Sequence, residues 1–278
     1  MPSPTFTFAN DLTIHRLGYG AMRITGNGVW GPPKDKAEAI RVLQTTRELG
    51  IDFIDTADSY GPYVSEELIA EALHPYPSEL VIATKAGLER TGPNQWPING
   101  RPEHLEAACK GSLKRLKLEQ IPLYQWHRFD PDVPSDESLD KLKELQQQGY
   151  VKHLGLSEVS VAQIQEAQQY FEVVSVQNKF SLTDRKWAEE LDWCAERNIA
   201  FIPWYPLDAG KVADDGLQQV AKKHNATVYQ IALAWLLHYR ENILLIPGTS
   251  SVAHLRENTA AGKIVLDEGD MGVLSGKY

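Results

Sequence analysis

Eight short β-branched runs, each followed by an amphipathic stretch, fill a chain of 278 residues and predict an α/β protein folded as a closed (β/α)8 TIM barrel. An open, doubly wound sheet shows the same alternation. Two observations favour the barrel. The pattern passes through eight units without a break, and no Pro/Gly/Ser-rich linker or shift in composition divides the chain. Residues 1–278 therefore read as a single barrel domain. The 42% hydrophobic content is ample for one large core.

The leading TFTFANDLTI alternates apolar and polar residues around a turn-forming Asn10–Asp11, which predicts a β-hairpin closing the barrel floor. The eight barrel strands are RLGYGA (16–21), DFIDTA (52–57), LVIATK (80–85), LYQWH (123–127), VKHLGLS (151–157), VVSVQN (173–178), AFIPWY (200–205) and ILLIPG (243–248). Helices are expected over 35–49, 65–73, 102–116, 136–148, 160–170, 185–197, 227–240 and 251–261. Pro102 marks one start, and Gly50 and Gly149 stand just past two ends.

Charge and cysteine usage exclude several function classes. Lys plus Arg number 28 against 37 Asp plus Glu, a formal charge of −9, whereas nucleic-acid or anionic-membrane binding needs a cationic face. Cys109 and Cys194 make neither a disulfide framework nor a zinc site, which fits a reducing compartment. The N-terminal stretch lacks a basic region followed by an apolar run, and no apolar stretch approaches a membrane span. A cytoplasmic protein is expected.

Active sites of such barrels gather at the C-terminal ends of the strands. GIDFIDTADSYGP (50–62) brings Asp55, Asp58 and Tyr60 to the end of the second strand, Lys85 ends the third and His127 the fourth. Three neighbouring strands thus aim a carboxylate, a phenol, an ammonium and an imidazole at one mouth. A phenol near pKa 10 is a reluctant acid at neutral pH, and an adjacent ammonium lowers that value by favouring phenolate. Asp55, Lys85 and Tyr60 therefore suit a proton relay with Tyr60 as general acid, and His127 suits orientation of a carbonyl oxygen. Each residue alone is more often structural; it is their co-location that points to chemistry. The same residue types also fit a sugar isomerase or lyase. Asp58 reads as a loop cap or a solvated side chain.

The motifs FIDTADSYG, ATKAG, LYQWHR, KHLGLSEVS, SVQNKFS, IPWYPL and LLIPGTSSVAHLREN resemble, in order and spacing, those of the aldo-keto reductases. Within that family the chain is most similar to the bacterial branch with pyridoxal-reductase-like enzymes. The resemblance implies NADPH-dependent reduction of aldehydes or ketones, with Asp55, Tyr60, Lys85 and His127 on the four catalytic positions. It implies that Ser157 and Gln177 hold the nicotinamide carboxamide and that Trp204 stacks on the ring, with Met22, Asp55, Tyr205, Pro206 and Leu207 completing that end of the cofactor site. Where the family has Asn after the serine, this chain has Glu158, which cannot donate to the amide carbonyl.

The eighth-strand loop leads into a helix whose free N–H groups form an anion site. By resemblance, Gly248, Thr249, Ser250, Ser251, His254 and Asn258 take the adenosine 2′-phosphate and adenine, so NADPH is preferred over NADH. GNGVWG (26–31) satisfies a dinucleotide fingerprint, but Pro32, Pro33 and Trp30 do not suit one. It reads as the first active-site loop. Trp30, Trp96 and Arg128 are the substrate candidates, beside Arg23, Trp126 and Phe129. Arg128 reads equally as an anion contact or as a partner of Asp130 or Asp132. No metal is expected, because strand ends lack clustered His and carboxylate ligands. The expectation is a monomer acting on a small-molecule carbonyl substrate, with no nucleic-acid or membrane partner. The alternative is a nicotinamide-binding regulatory subunit with little turnover.

Overall fold

A computed structural model describes residues 2–207 and 215–276. Strands β1 (Thr5–Phe8) and β2 (Leu12–His15) pair antiparallel, with Phe8 opposite Leu12. The left-handed residues of the connection are Ala9 and Asn10, one position earlier than the expected Asn10–Asp11. Phe8 and Ile14, both fully buried, pack among Phe53, Val81, Leu123, Val174 and Leu244 near the starts of the barrel strands, so the hairpin plugs the floor as expected.

The barrel strands are β3 (Tyr19–Gly20), β4 (Phe53–Asp55), β5 (Val81–Ala86), β6 (Ile121–Trp126), β7 (Val151–Ser157), β8 (Val173–Gln177) and β9 (Ala200–Phe201), parallel and in sequence order. The eighth predicted strand closes the ring through short bridges rather than a full ladder. On one side Leu244 N–H donates to Phe201 O (2.9 Å) and Phe201 N–H to Asn242 O (2.8 Å). On the other, Gly18 N–H donates to Leu245 O and Leu245 N–H to Arg16 O, each at 2.7 Å. The predicted first strand over 16–21 is shorter, because the chain leaves the sheet after Gly20 in a 3-10 turn, Ala21–Ile24.

Around the strands lie α1 (Lys36–Glu48), α2 (Val64–Leu73), α3 (Pro102–Leu116), α4 (Ser135–Gln147), α5 (Val161–Ala167), α6 (Ala188–Ala195), α8 (Val228–Tyr239) and α9 (Val252–Ala260). Each corresponds to a predicted helix within a few residues. Two more, α7 (Asp215–Lys223) and α10 (Glu268–Ser275), pack on each other. Lys223 and His224 on one side meet Asp270 on the other, each at 2.7 Å. Neither helix is expected from a pattern of one helix per strand.

Arg16 holds the barrel seam. Fully buried, its guanidinium donates to the carbonyls of Ile243 (3.0 Å), Ser3 (3.2 Å), Leu237 (3.0 Å) and Arg240 (2.5 Å). It thereby ties the first barrel segment to the last and to the end of α8. Arg16→Met keeps the apolar stem and strands these carbonyls. Unfolding in urea should show a loss of about 3 kcal/mol, since each buried polar group left unpaired costs roughly 1–3 kcal/mol. A variant as stable as the parent would remove Arg16 from the seam.

Candidate active site

Parallel register brings four side chains to one point at the top of the barrel. Asp55 lies beside Ala83, two residues before Lys85, and Lys85 lies beside Gln125. The Lys85 Nζ donates to Asp55 Oδ1 at 2.6 Å and to the Thr56 carbonyl at 2.8 Å, with the Tyr60 hydroxyl at 3.5 Å. The other carboxylate oxygen, Asp55 Oδ2, accepts from Gln125 Nε2 (3.1 Å) and Gln177 Nε2 (2.9 Å). Lys85 and Asp55 are 0% and 2% exposed, so this ion pair is almost wholly withdrawn from solvent. Gln125, absent from the sequence-level candidates, reads there as an ordinary strand residue.

Burial and charge set the protonation states. Burial opposes the Lys85 ammonium, but Asp55 and Tyr60 outweigh it and the group is held above its ordinary value. Burial pushes the Tyr60 phenol above its ordinary 10, against the pull of Lys85. The lowering expected from the ammonium has the right sign, yet desolvation is larger and reverses the net shift. Tyr60 is thus a protonated phenol at neutral pH. Burial, reinforced by Lys85 and Arg128, holds His127 well below its ordinary value and therefore neutral. The His127 ring stands edge-on to Tyr60 with centroids 6.2 Å apart, and its Nδ1 is buried without a hydrogen-bond partner.

Asp58 corrects a second expectation. It is not solvated: it is buried, and its Oδ1 has no partner. Burial first, then the charge of nearby Glu66, raises its pKa well above the carboxylate range. The Asp58 carboxyl thus sits in the interior, within reach of the charges of Glu66, Arg115 and Lys85, rather than in solvent.

A cavity of about 1070 Å³ opens from this point. Asp55, Tyr60 and His127 line one end with Met22, Ser157 and Gln177, and Trp204, Tyr205, Pro206 and Leu207 continue the wall. Gly248, Thr249, His254 and Asn258 line it as well. Trp96 and Arg128 reach the cavity, whereas Lys85, Trp30, Ser250 and Ser251 do not line it. Trp30 instead bridges to Gly61, and Lys85 lies beneath Tyr60. Sequence reasoning missed Thr227, Tyr229 and Glu257 on the wall, and no local pattern marks them.

Several hydrogen bonds refine the expected roles. Arg128 pairs with neither Asp130 nor Asp132; it donates to the Ser157 hydroxyl (2.9 Å) and the His127 carbonyl (2.6 Å). At the start of α9 one N–H is already taken, because Val252 donates to Glu38 Oε1 at 3.0 Å. Glu158 braces the cavity wall, since its Oε1 accepts from the Trp204 indole N–H (2.5 Å) and the Lys179 backbone N–H (2.7 Å). Among the described residues, no group of three or more His, Cys, Asp or Glu side chains is placed to hold a metal ion. No helix among them is long and apolar enough to cross a membrane.

A barrel mouth with a buried Lys–Asp pair under a tyrosine, beside a neutral histidine, is suited to protonating an oxygen at which charge develops. Comparison with known proteins agrees. The sequence model of the Aldo/keto reductase family matches residues 16–278. The chain belongs to the aldo/keto reductase family. It is an oxidoreductase of carbonyl compounds. An uncharacterized oxidoreductase of Schizosaccharomyces pombe is 50% identical over 258 residues, 92% of this chain and 84% of that one. Pyridoxine 4-dehydrogenase of Escherichia coli is 42% identical over 283 residues, 99% of both chains. The crystal structure of a thermostable aldo-keto reductase bound to the inhibitor epalrestat superposes with a TM-score of 0.87 at 30% identity, covering 98% of each chain.

Glu158→Ala in this reductase removes the acceptor shared by the Trp204 indole and the Lys179 amide. The expected cost in urea unfolding is about 1–2 kcal/mol, and Glu158→Gln, which keeps an acceptor oxygen, should recover most of it. Equal stability of parent and Ala variant would show that the two contacts hold nothing.

Proposed function

We propose that this chain, acting as a cytoplasmic monomer with one barrel domain, reduces aldehydes or ketones to alcohols with NADPH, and that an aromatic aldehyde such as pyridoxal is among its substrates. The supporting observation is the state of Tyr60: a phenol held protonated by burial, with an ammonium 3.5 Å from its oxygen. The pyridoxine 4-dehydrogenase that matches along almost the whole chain supports the substrate class. The cavity's volume of about 1070 Å³ lies just above the roughly 300–1000 Å³ common for small-ligand sites, which suits a ligand as large as a dinucleotide. Trp204 offers a flat face for the nicotinamide, Ser157 a polar group for its carboxamide, and Gly248, Thr249, His254 and Asn258 backbone and polar groups for the adenosine end.

NADPH, held by residues such as Trp204 and Ser157, would supply the hydride that the carbonyl carbon receives. Neutral His127 donates an N–H to the carbonyl oxygen and orients it. Tyr60 transfers its hydroxyl proton to that oxygen as the C–O π bond opens, leaving a phenolate that Lys85 stabilises. Asp55 holds Lys85 charged and aimed, and water at the open mouth returns the proton to Tyr60. Gln177, which donates to Asp55, steadies that carboxylate. Trp96 and Arg128 face the substrate, with Trp30 one layer behind. A regulatory role without turnover gains no support from a site in which Asp55, Tyr60, Lys85 and His127 are brought together.

Tyr60→Phe tests the reading. Turnover of an aromatic aldehyde should fall at least a thousandfold, roughly the upper contribution of a general acid and its charge stabilisation. Affinity for NADPH, followed by fluorescence titration beside NADH, should stay within a few-fold of the parent and exceed that for NADH in both proteins. Near-parental kcat would remove Tyr60 from the reaction, and equal affinity for the two cofactors would overturn the choice of NADPH.

A further inference from the structure

The substrate mouth is assembled from three successive loops at the C-terminal ends of the strands, and one side chain outside the cavity lining joins them. Arg90 Nη1 donates to the carbonyls of Val29 (2.6 Å) and Ser59 (2.9 Å), and Nη2 to those of Gly28 (2.8 Å) and Gly92 (3.2 Å). Its Nε donates to Gln95 O at 2.8 Å. Val29 and Gly28 belong to the loop after β3, Ser59 to the loop after β4, and Gly92 and Gln95 to the loop after β5. A guanidinium has five N–H donors in a planar fork, and these five bonds use all of them.

The same guanidinium lies flat on Trp96, its Cζ 3.6 Å from the ring centroid, with the Trp30 ring at 5.7 Å. Trp96 in turn stands edge-on to Tyr60, with centroids 6.4 Å apart and planes at 88°. Arg90 therefore links the backbone beside Tyr60 to the aromatic wall above it. The loop after β5 is itself a short hairpin, with bridges Leu88 to Ile98 and Gly92 to Gln95, which delivers Trp96 to the mouth.

The partner loop carries backbone conformations that need support. Val29, a β-branched residue, has φ 54°, in the left-handed region that such side chains avoid. Its carbonyl is the one Arg90 meets at 2.6 Å. Gly28 has φ 67°, and a Cβ there would lie 2.8 Å from Pro93 Cβ, so the two loops touch at a point where only glycine fits. A strained residue persists when surrounding contacts over-determine it, and such residues gather at ligand clamps.

We infer that Arg90 is a positioning residue for substrate selection: it locks Trp96 over Tyr60 as a rigid wall and so sets the preference for flat aromatic over small aliphatic carbonyl compounds. The inference rests on the proposed carbonyl reduction and deepens it. Arg90 touches neither the hydride path nor the proton path, so its loss acts on KM for substrates that pack against Trp96. It leaves the Lys85–Asp55–Tyr60 group and the cofactor end unchanged.

The test is a double-mutant cycle with NADPH, 4-nitrobenzaldehyde and propionaldehyde, on the parent, Arg90→Met, Trp96→Leu and the double variant. Arg90→Lys serves as a milder companion, since it keeps the charge but offers three donors rather than a planar fork. In Arg90→Met, KM for 4-nitrobenzaldehyde should rise about tenfold, a value in the range for a lost cation–π anchor and a loosened aromatic wall. KM for propionaldehyde, kcat for both and NADPH affinity by fluorescence should stay within twofold, with Arg90→Lys between Met variant and parent. In the Trp96→Leu background the Arg90 substitution should add nothing further to the aromatic KM. Equal changes for both aldehydes, a loss in kcat alone, or additive effects in the double variant would overturn the inference while leaving carbonyl reduction intact. A parent that turns over neither aldehyde would overturn carbonyl reduction itself, and the inference with it.

Discussion

The buried pair of Lys85 and Asp55 is the constraint around which the rest of the site is arranged. Two charges removed from water are stable only when attraction and hydrogen bonds offset the lost solvation. Here the Lys85 ammonium reaches Asp55, Thr56 O and the Tyr60 hydroxyl, and the second oxygen of Asp55 takes N–H groups from Gln125 and Gln177. The pair and its partners come from β4, β5, β6 and β8 and from the loop after β4. A slip of one residue in any of these strands turns its side chains to the opposite face. The pair therefore demands one register across half of the barrel, and Arg16 at the seam and Phe8 in the floor help to close the ring that supplies it.

The same burial gives neighbouring groups unlike states. Lys85 remains charged because an anion faces it, whereas His127, which faces the cations Lys85 and Arg128, remains neutral. Tyr60 keeps its proton, and the carboxyl of Asp58, buried close to Glu66 with no hydrogen-bond partner for Oδ1, is held well above its ordinary value. One ion pair, one acid and one neutral donor at a single mouth are what protonation of a developing alkoxide requires. Glu158 holding Trp204 by a hydrogen bond and Arg90 holding Trp96 by stacking extend the same order outward, each fixing an aromatic face from outside the reaction path.

Much of this was legible in the sequence, for reasons tied to particular residues. Strand cores such as Phe53–Asp55 and Val81–Ala86 are short, apolar and flanked by breakers, so the alternation with helices survives in the one-dimensional pattern. Asp55, Tyr60, Lys85 and His127 stand at strand ends, where the barrel itself dictates convergence. What stayed hidden depends on contacts distant in the chain. The bond of Gln125 to Asp55 spans 70 positions, that of Val252 to Glu38 spans 214, and that of Arg90 to Gly28 spans 62. Asp58 looks like a turn residue until the packing around Glu66 is known. The helices α7 and α10 lie outside the repeating unit, and the periodicity that revealed the barrel obscured them.

In the proposed mechanism Lys85, held by Asp55, tempers the rise in pKa that burial imposes on the Tyr60 phenol, and the rest of that mechanism hangs on the coupling. It is tested most directly by kcat/KM for one aromatic aldehyde as a function of pH, in the parent and in Lys85→Met at enzyme concentrations high enough to follow residual turnover. The ammonium favours phenolate, so its removal raises the phenol's pKa further. Reduction needs the protonated phenol and is lost as pH rises through that value. The alkaline limb of Lys85→Met should therefore lie at higher pH than that of the parent, with a lower plateau. An alkaline limb at the same pH in both proteins, or at lower pH in the variant, would contradict the coupling.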